Sequence, residues 1–142
     1  MGRAGVWQVE PAPIIGAPWA LRQEAWCRPA RRWATVTPFV FDRFPDDLYG
    51  EEAEEIVRTA CARVISMPDG QPCRPTHITL LPVSAHIGVP ASHAFPRAPA
   101  RPGKPSRCQL HVILDFEHRV HGPFAIGAGR YYGYGLCRAI NH

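Results

Sequence analysis

Two hydrophobic periods alternate along the chain and place its elements. From Trp33 to Phe41 the repeat is two: Trp33, Thr35, Thr37, Phe39 and Phe41 share one face, Ala34, Val36, Pro38 and Val40 the other. That is the pattern of a strand, and Pro38, which cannot donate to a ladder, predicts an edge position or a bulge within it. From Glu51 to Ile65 the repeat lengthens, with Ala53, Ile56, Val57, Ala60, Cys61 and Val64 at helical spacing. Glu51, Glu52, Glu54 and Glu55 crowd the positive end of that helix, Arg58 and Arg63 lie further toward its negative end, and Pro68-Asp69-Gly70 closes it. Thr76 to Val83 predicts a second strand. The best strand is Cys108 to Glu117: Cys108, Leu110, Val112, Leu114 and Phe116 face the helix, while Gln109, His111, Ile113 and Asp115 point to an uncovered face. Tyr134 to Ile140 predicts a last strand.

The intervening stretches differ in kind. Residues 1–32 show no sustained period; Trp7, Trp19 and Trp26 sit among Pro, Ala and Arg, with a short helix expected over Ala20 to Cys27 before Pro29. This part reads as an irregular leader, or the remnant of a missing N-terminal half, ahead of a domain spanning 33–142. Residues 84–107 hold Pro90, Pro96, Pro99, Pro102 and Pro105 with Arg97, Arg101, Lys104 and Arg107, and no acid. Such a segment predicts an extended, mobile, basic arm suited to phosphates, or else a solvated linker. The order of elements is that of an α+β domain of ferredoxin-like (RRM-like) type. It has one clear helix, a four-stranded antiparallel sheet, a second helix reduced to Val120–Ile126, and a C-terminal glycine-rich loop.

Charge and composition sharpen this picture only slightly. Sixteen Lys and Arg against twelve Asp and Glu give a net charge of +4, and Lys104 is the only lysine. Guanidinium favours bidentate phosphate contacts, so the arginine bias points toward nucleic acid; a GC-rich coding sequence would produce the same excess. The five cysteines (27, 61, 73, 108 and 137) are scattered and form no C-x-x-C pair, which argues against a zinc site or a disulfide framework and suits a reducing, cytoplasmic setting. No apolar run is long enough for a membrane span, and no motif calls for a metal or a small-molecule cofactor.

The glycine-rich stretch carries the most chemistry. Gly127, Gly129, Gly133 and Gly135 bracket Arg130, Tyr131, Tyr132 and Tyr134. Glycines let backbone N–H groups approach an anion, Arg130 offers a fork to phosphate, and the tyrosines offer faces to unpaired bases. The spacing G-x-G-x-x-x-G-x-G is not a dinucleotide fingerprint, and a glycine-rich turn between strands is the plainer alternative.

Three segments together resemble a known family. They are Trp33-Ala-Thr-Val-Thr-Pro-Phe-Val-Phe-Asp-Arg43, Leu110-His-Val-Ile-Leu-Asp-Phe116 and Gly122-Pro-Phe-Ala-Ile-Gly-Ala-Gly-Arg-Tyr-Tyr-Gly-Tyr-Gly-Leu136. They are similar, in order, to the C-terminal, Cas six-like region of the fused Cas five–six subunit of type I-G (I-U) CRISPR systems, in the RAMP superfamily. The resemblance spans about residues 31–140. It implies a ferredoxin-like repeat whose glycine loop holds CRISPR repeat RNA, other type I-G effector subunits as partners, and a metal-independent endoribonuclease that trims precursor RNA into guides. The family's proteins are several times longer.

Such cleavage proceeds by attack of a 2′-hydroxyl on the adjacent phosphorus, and needs a base, an acid and a stabiliser of the phosphorane charge. Among seven histidines, His111 ranks first, mid-strand on the face expected to be open, and His121 second, close in sequence to the glycine loop. Tyr131 stands where the family often places a histidine after the arginine and is the third candidate. The plainer role for His111 is a strand histidine hydrogen-bonded to a neighbour. Two other readings accompany the nuclease: a non-catalytic RNA-binding subunit, and a remnant without independent activity.

Overall fold

The computed structural model describes residues 16–100 and 102–140, together with Gln8, Glu10 and Pro11. The chain is an α+β fold with one main helix and a curled antiparallel sheet of four to five strands. A 3-10 turn at Trp19–Leu21 leads into a short helix α1 (Gln23–Cys27), followed by β1 (Ala30–Thr35) and β2 (Phe39–Val40). The main helix α2 (Glu51–Val64) comes next, then β3 (His77–Leu81), β4 (Gln109–Val120) and β5 (Cys137–Ala139). β4 is the spine. β3 pairs along one edge, with Leu80 opposite Val112, and β1 along the other, with Trp33 opposite Leu114. β5 extends the sheet beyond β1, while β2 pairs with the start of β4 at Gln109 and Leu110.

Helix α2 buries Ala53, Ile56, Val57, Ala60 and Cys61. Burial of Ile56 and Val57 alone is worth about 3–6 kcal/mol, against roughly 0.3–1 kcal/mol for each charge at a helix end, so packing fixes this helix and its acidic first turn only assists. The face it covers is the one read from the alternation: Leu110, Val112, Leu114 and Phe116 join Trp33, Phe39, Phe41 and Ile126 in a single core. Trp33 leans on Phe124 at 4.7 Å, and Phe39 meets Phe41 edge-on at 4.9 Å. Cys61 lies inside this core, where burial pushes its thiol up to about 12, and burial likewise raises Cys137. These thiols are inert packing groups.

Five expectations need correction. The strand read over Trp33 to Phe41 is two strands with a break at Val36–Pro38. There the Thr35 hydroxyl, and not a backbone carbonyl, takes the Val112 N–H at 3.0 Å. The domain boundary expected at Trp33 falls inside β1. The described part of the leader from Trp19 on packs: Ala25 is fully buried, Trp26 Nε1 donates to the Ala20 carbonyl at 2.8 Å, and Arg138 lies over the Trp26 ring at 5.5 Å. Trp7 lies outside the described residues. β4 runs on through His118, Arg119 and Val120 because Ala30 pairs with Val120. Val120–Ile126 forms no second helix; the chain stays extended and Ala125 bridges to Leu136.

The largest correction concerns the basic arm and the sheet face beneath it. Residues 84–98 strap across that face instead of leaving it open. Ser92 N–H bonds to the Pro82 carbonyl at 2.8 Å, a 3-10 turn forms at Ser92–Ala94, and Ser92 and Ala98 are buried. A proline-rich backbone has more carbonyl acceptors than N–H donors, and side chains of β4 supply the missing donors. Gln109 Nε2 reaches the Ser92, Phe95 and Pro96 carbonyls at 3.2–3.4 Å, while its Oε1 accepts from Ala98 N–H.

Candidate nucleic-acid interface

The glycine stretch docks into the break between β1 and β2. Thr37 and Pro38, left without strand partners, turn toward it. The Thr37 hydroxyl donates to the Gly133 carbonyl at 2.6 Å and accepts from Leu136 N–H at 3.0 Å. Gly135 N–H bonds to the Pro38 carbonyl at 2.8 Å, and Ala128 N–H to the Val40 carbonyl at 2.9 Å. Two glycines are demanded by this docking. Gly127 has φ +97° and a Cβ there would lie 2.8 Å from the Val40 oxygen; Gly135 has φ +71° and a Cβ would collide with the Ile126 carbonyl. The close approach that glycine permits is therefore to the protein's own backbone. Most N–H groups from Ile126 to Leu136 already bond within the protein, so the loop is a rigid platform and not an empty cradle of amides.

That platform lifts side chains into solvent. A 3-10 turn, Arg130–Tyr132, ends at Gly133 with φ +84°. Tyr131 is 83% and Tyr132 64% exposed, high for side chains of this size. Arg130 is held over the Tyr131 ring at 4.7 Å, with one Nη on the Gly127 carbonyl at 3.2 Å and the other near the Tyr131 hydroxyl at 3.3 Å. Behind it a cleft of about 40 Å³ also holds Arg63, which pairs with Asp42 at 3.6 Å.

Beside Tyr132 lies a groove of about 220 Å³ lined by Thr37, Phe95, Tyr132, Gly133 and Tyr134. The Tyr134 hydroxyl donates to the Pro96 carbonyl at 2.5 Å, tying the glycine platform to the strap. Next along the strap, Arg97 reaches the Arg107 carbonyl at 3.4 Å. Arg107 and Lys104 then line a second groove of about 180 Å³ with Phe44, Ala100 and Pro105. Arg97 and Lys104 are exposed and Arg107 is half-buried. Arg101 lies outside the described residues.

The sequence-ranked catalytic residues are not brought together. His111 is 1% exposed. Its Nε2–H donates to the Pro90 carbonyl at 3.0 Å, because a carbonyl can only accept, and its Nδ1 accepts from the Thr35 hydroxyl at 3.0 Å. Burial lowers its pKa below the usual 6.5 despite those two bonds, so the ring is a neutral clamp under the strap. The face on which it was expected to meet substrate is covered. His86 makes a parallel clamp, its Nε2 shared between the Ala34 and Arg138 carbonyls at 3.1 Å, with its pKa lowered by burial and by Arg138. His121 follows the far end of β4, where neighbouring Gly122 abuts the Trp26 carbonyl, whereas Tyr131 sits on the loop docked at the Gln109 end. Of the row on β4, Ile113 and Asp115 stay partly open, and there Asp115 faces Arg32 at 3.2 Å.

Phe44 and Phe95 join Tyr131, Tyr132 and Tyr134 on this surface without having been singled out by motif. The readable signal was Phe44, a lone aromatic in the polar loop Asp42–Asp47, 52% exposed. No family model, curated protein or solved structure matches the chain.

Proposed function

We propose that this protein holds single-stranded RNA along the face formed by the glycine platform and the strap. One observation carries the reading: exposed aromatic rings, Tyr131, Tyr132 and Phe44, alternate with Arg130, Arg97, Lys104 and Arg107 on a rigid backbone support. Rings stack on unpaired bases and the cations follow the phosphates, the combination that binds single strands in preference to duplex.

The narrower proposal is a ferredoxin-like, RAMP-type subunit that holds CRISPR repeat RNA beside other type I-G effector subunits. It is supported by the sheet order β3-β4-β1-β5, in which β1 and β3 run parallel on either side of β4 with α2 between them in sequence, and by the three family-like segments. Within it the non-catalytic form is favoured over the endoribonuclease, because His111 is buried and His121 lies apart from the loop.

Fluorescence anisotropy with a labelled single-stranded RNA and its duplex tests the reading. Four phosphate contacts should give a log K against log[salt] slope of roughly −3, at about 0.7 per contact for single strands. Equal or tighter duplex binding, or no binding at low salt, would overturn it.

A further inference from the structure

The groove around Phe44 is not part of the glycine platform, and its lining is chemically mixed. Phe44 and Pro105 supply flat apolar surface, Lys104 and Arg107 supply positive charge, and among the described residues no carboxylate lines it. The loop bearing Phe44 is tethered close by: Phe41 N–H bonds to the Cys108 carbonyl at 3.0 Å, and Asp42 is paired with Arg63. Half of the Phe44 surface nevertheless faces solvent. A ligand that satisfies both walls must carry a flat ring and an anionic group on one framework. A nucleotide does; an acidic peptide offers the charge without the ring, and a fatty acid offers no ring to stack.

The strap runs between this groove and the one beside Tyr132. Pro96 accepts the Tyr134 hydroxyl at the first groove, and the adjacent Arg97 touches the Arg107 carbonyl at the second. Resting on the reading of this face as an RNA surface, we infer that Phe44 is a second stacking station for the same strand that occupies the Tyr132 groove, with Arg97 on the phosphates between. Two of the hydroxyls that could tell one base from another are already engaged, which leaves the Tyr132 hydroxyl in the first groove and the cationic donors Lys104 and Arg107 in the second. The Thr37 hydroxyl is engaged by Gly133 and Leu136, the Tyr134 hydroxyl by Pro96, and among the described residues the Phe44 groove is lined by no side-chain acceptor. The rings offer their faces, which every base can stack on, and the cations are matched to phosphate, so both stations accept any base and affinity follows length.

The test is anisotropy with labelled oligo-U, oligo-C and oligo-A RNAs of three to twelve nucleotides, and with matched DNA strands. The wild-type protein should bind the long oligomers of each base alike and much more tightly than the short ones. Phe44→Ala should weaken twelve-nucleotide binding by about tenfold or more, the effect of one lost base–aromatic stack, in RNA and DNA equally. Phe44→Trp should restore it, and Lys104→Ser with Arg107→Ser should repeat the loss without touching the ring. Thermal unfolding of each variant controls for folding. If Tyr132→Ala weakens binding while Phe44→Ala and the Lys104/Arg107 pair bind as wild type, the second station is refuted and the RNA-binding reading stands. If no length of RNA binds, both fall. A strong preference for one base refutes the unselective stations even if Phe44 matters.

Discussion

Replacing His111 with alanine separates a structural from a catalytic histidine. In the structure the imidazole bridges two distant parts of the chain, from Thr35 on β1 to Pro90 in the strap, with Phe95 edge-on to it at 5.9 Å. Truncation leaves the Pro90 carbonyl and the Thr35 hydroxyl short of a partner. The buried Thr35 hydroxyl costs about 1–3 kcal/mol, the Pro90 carbonyl lies on an exposed residue and can take water, and the vacated volume adds about 2 kcal/mol, so a total of roughly 3–5 kcal/mol is expected. For a chain of this size that corresponds to a fall in Tm of about 10–20 °C. Denaturant unfolding followed by tryptophan fluorescence and circular dichroism measures it. His111→Gln, which keeps a donor and an acceptor, should recover part of the loss. An unchanged midpoint in His111→Ala would refute the clamp. Cleavage abolished at full stability would return the imidazole to the reacting atoms.

Three further outcomes are expected. Burial holds the pKa of His86 and His111 below the unfolded value of 6.5, so the unfolded chain takes up protons first. Stability should be complete above about pH 6.5 and decline as pH falls from there toward the depressed folded values; a denaturation midpoint flat from pH 7.5 to 5 contradicts this. Gly133→Ala, with open space but φ +84°, should cost about 1–2 kcal/mol, while Gly135→Ala, which also drives a Cβ into the Ile126 carbonyl, should cost more; equal thermal shifts would contradict the docking of the loop. Arg97, Lys104 and Arg107 changed together to serine should flatten the salt slope of RNA binding by about 2, at 0.7 per contact; an unaltered slope would reduce the arm to a cover for the sheet.

What could be read beforehand depended on how local the cause was. Helix α2 and strand β4 were legible because each repeats its period over many residues, and nothing elsewhere overrides the packing of Ile56, Val57, Val112 and Leu114. Pro38 correctly marked a fault in its strand. That the fault would receive the glycine loop could not be read, since Thr37 and Gly133 meet across 96 positions. The strap was hidden for a similar reason. Gln109 and His111 look like the solvent side of an alternating strand until the carbonyls of Pro90 and Pro96 reach them from a segment whose composition suggests an arm. The glycines announced unusual backbone, but the same signal serves a ligand or a tight self-contact, and here Val40 and Ile126 occupy the space. The aromatic and cationic groups of the candidate surface were mostly visible as residue types; their assembly into one face was not.

Whether single-stranded RNA lies along the platform and strap can be decided by ultraviolet crosslinking. The full protein is irradiated with a uridine-rich single strand, and the attached peptides are located by mass spectrometry. Crosslinks are expected within the glycine platform at Tyr131 and Tyr132 and in the loop holding Phe44, lost on competition with unlabelled single strand and retained against duplex. Crosslinks confined to the opposite end of β4, around Arg32 and Asp115, or none under conditions where the RNA is bound, would contradict the proposed RNA path.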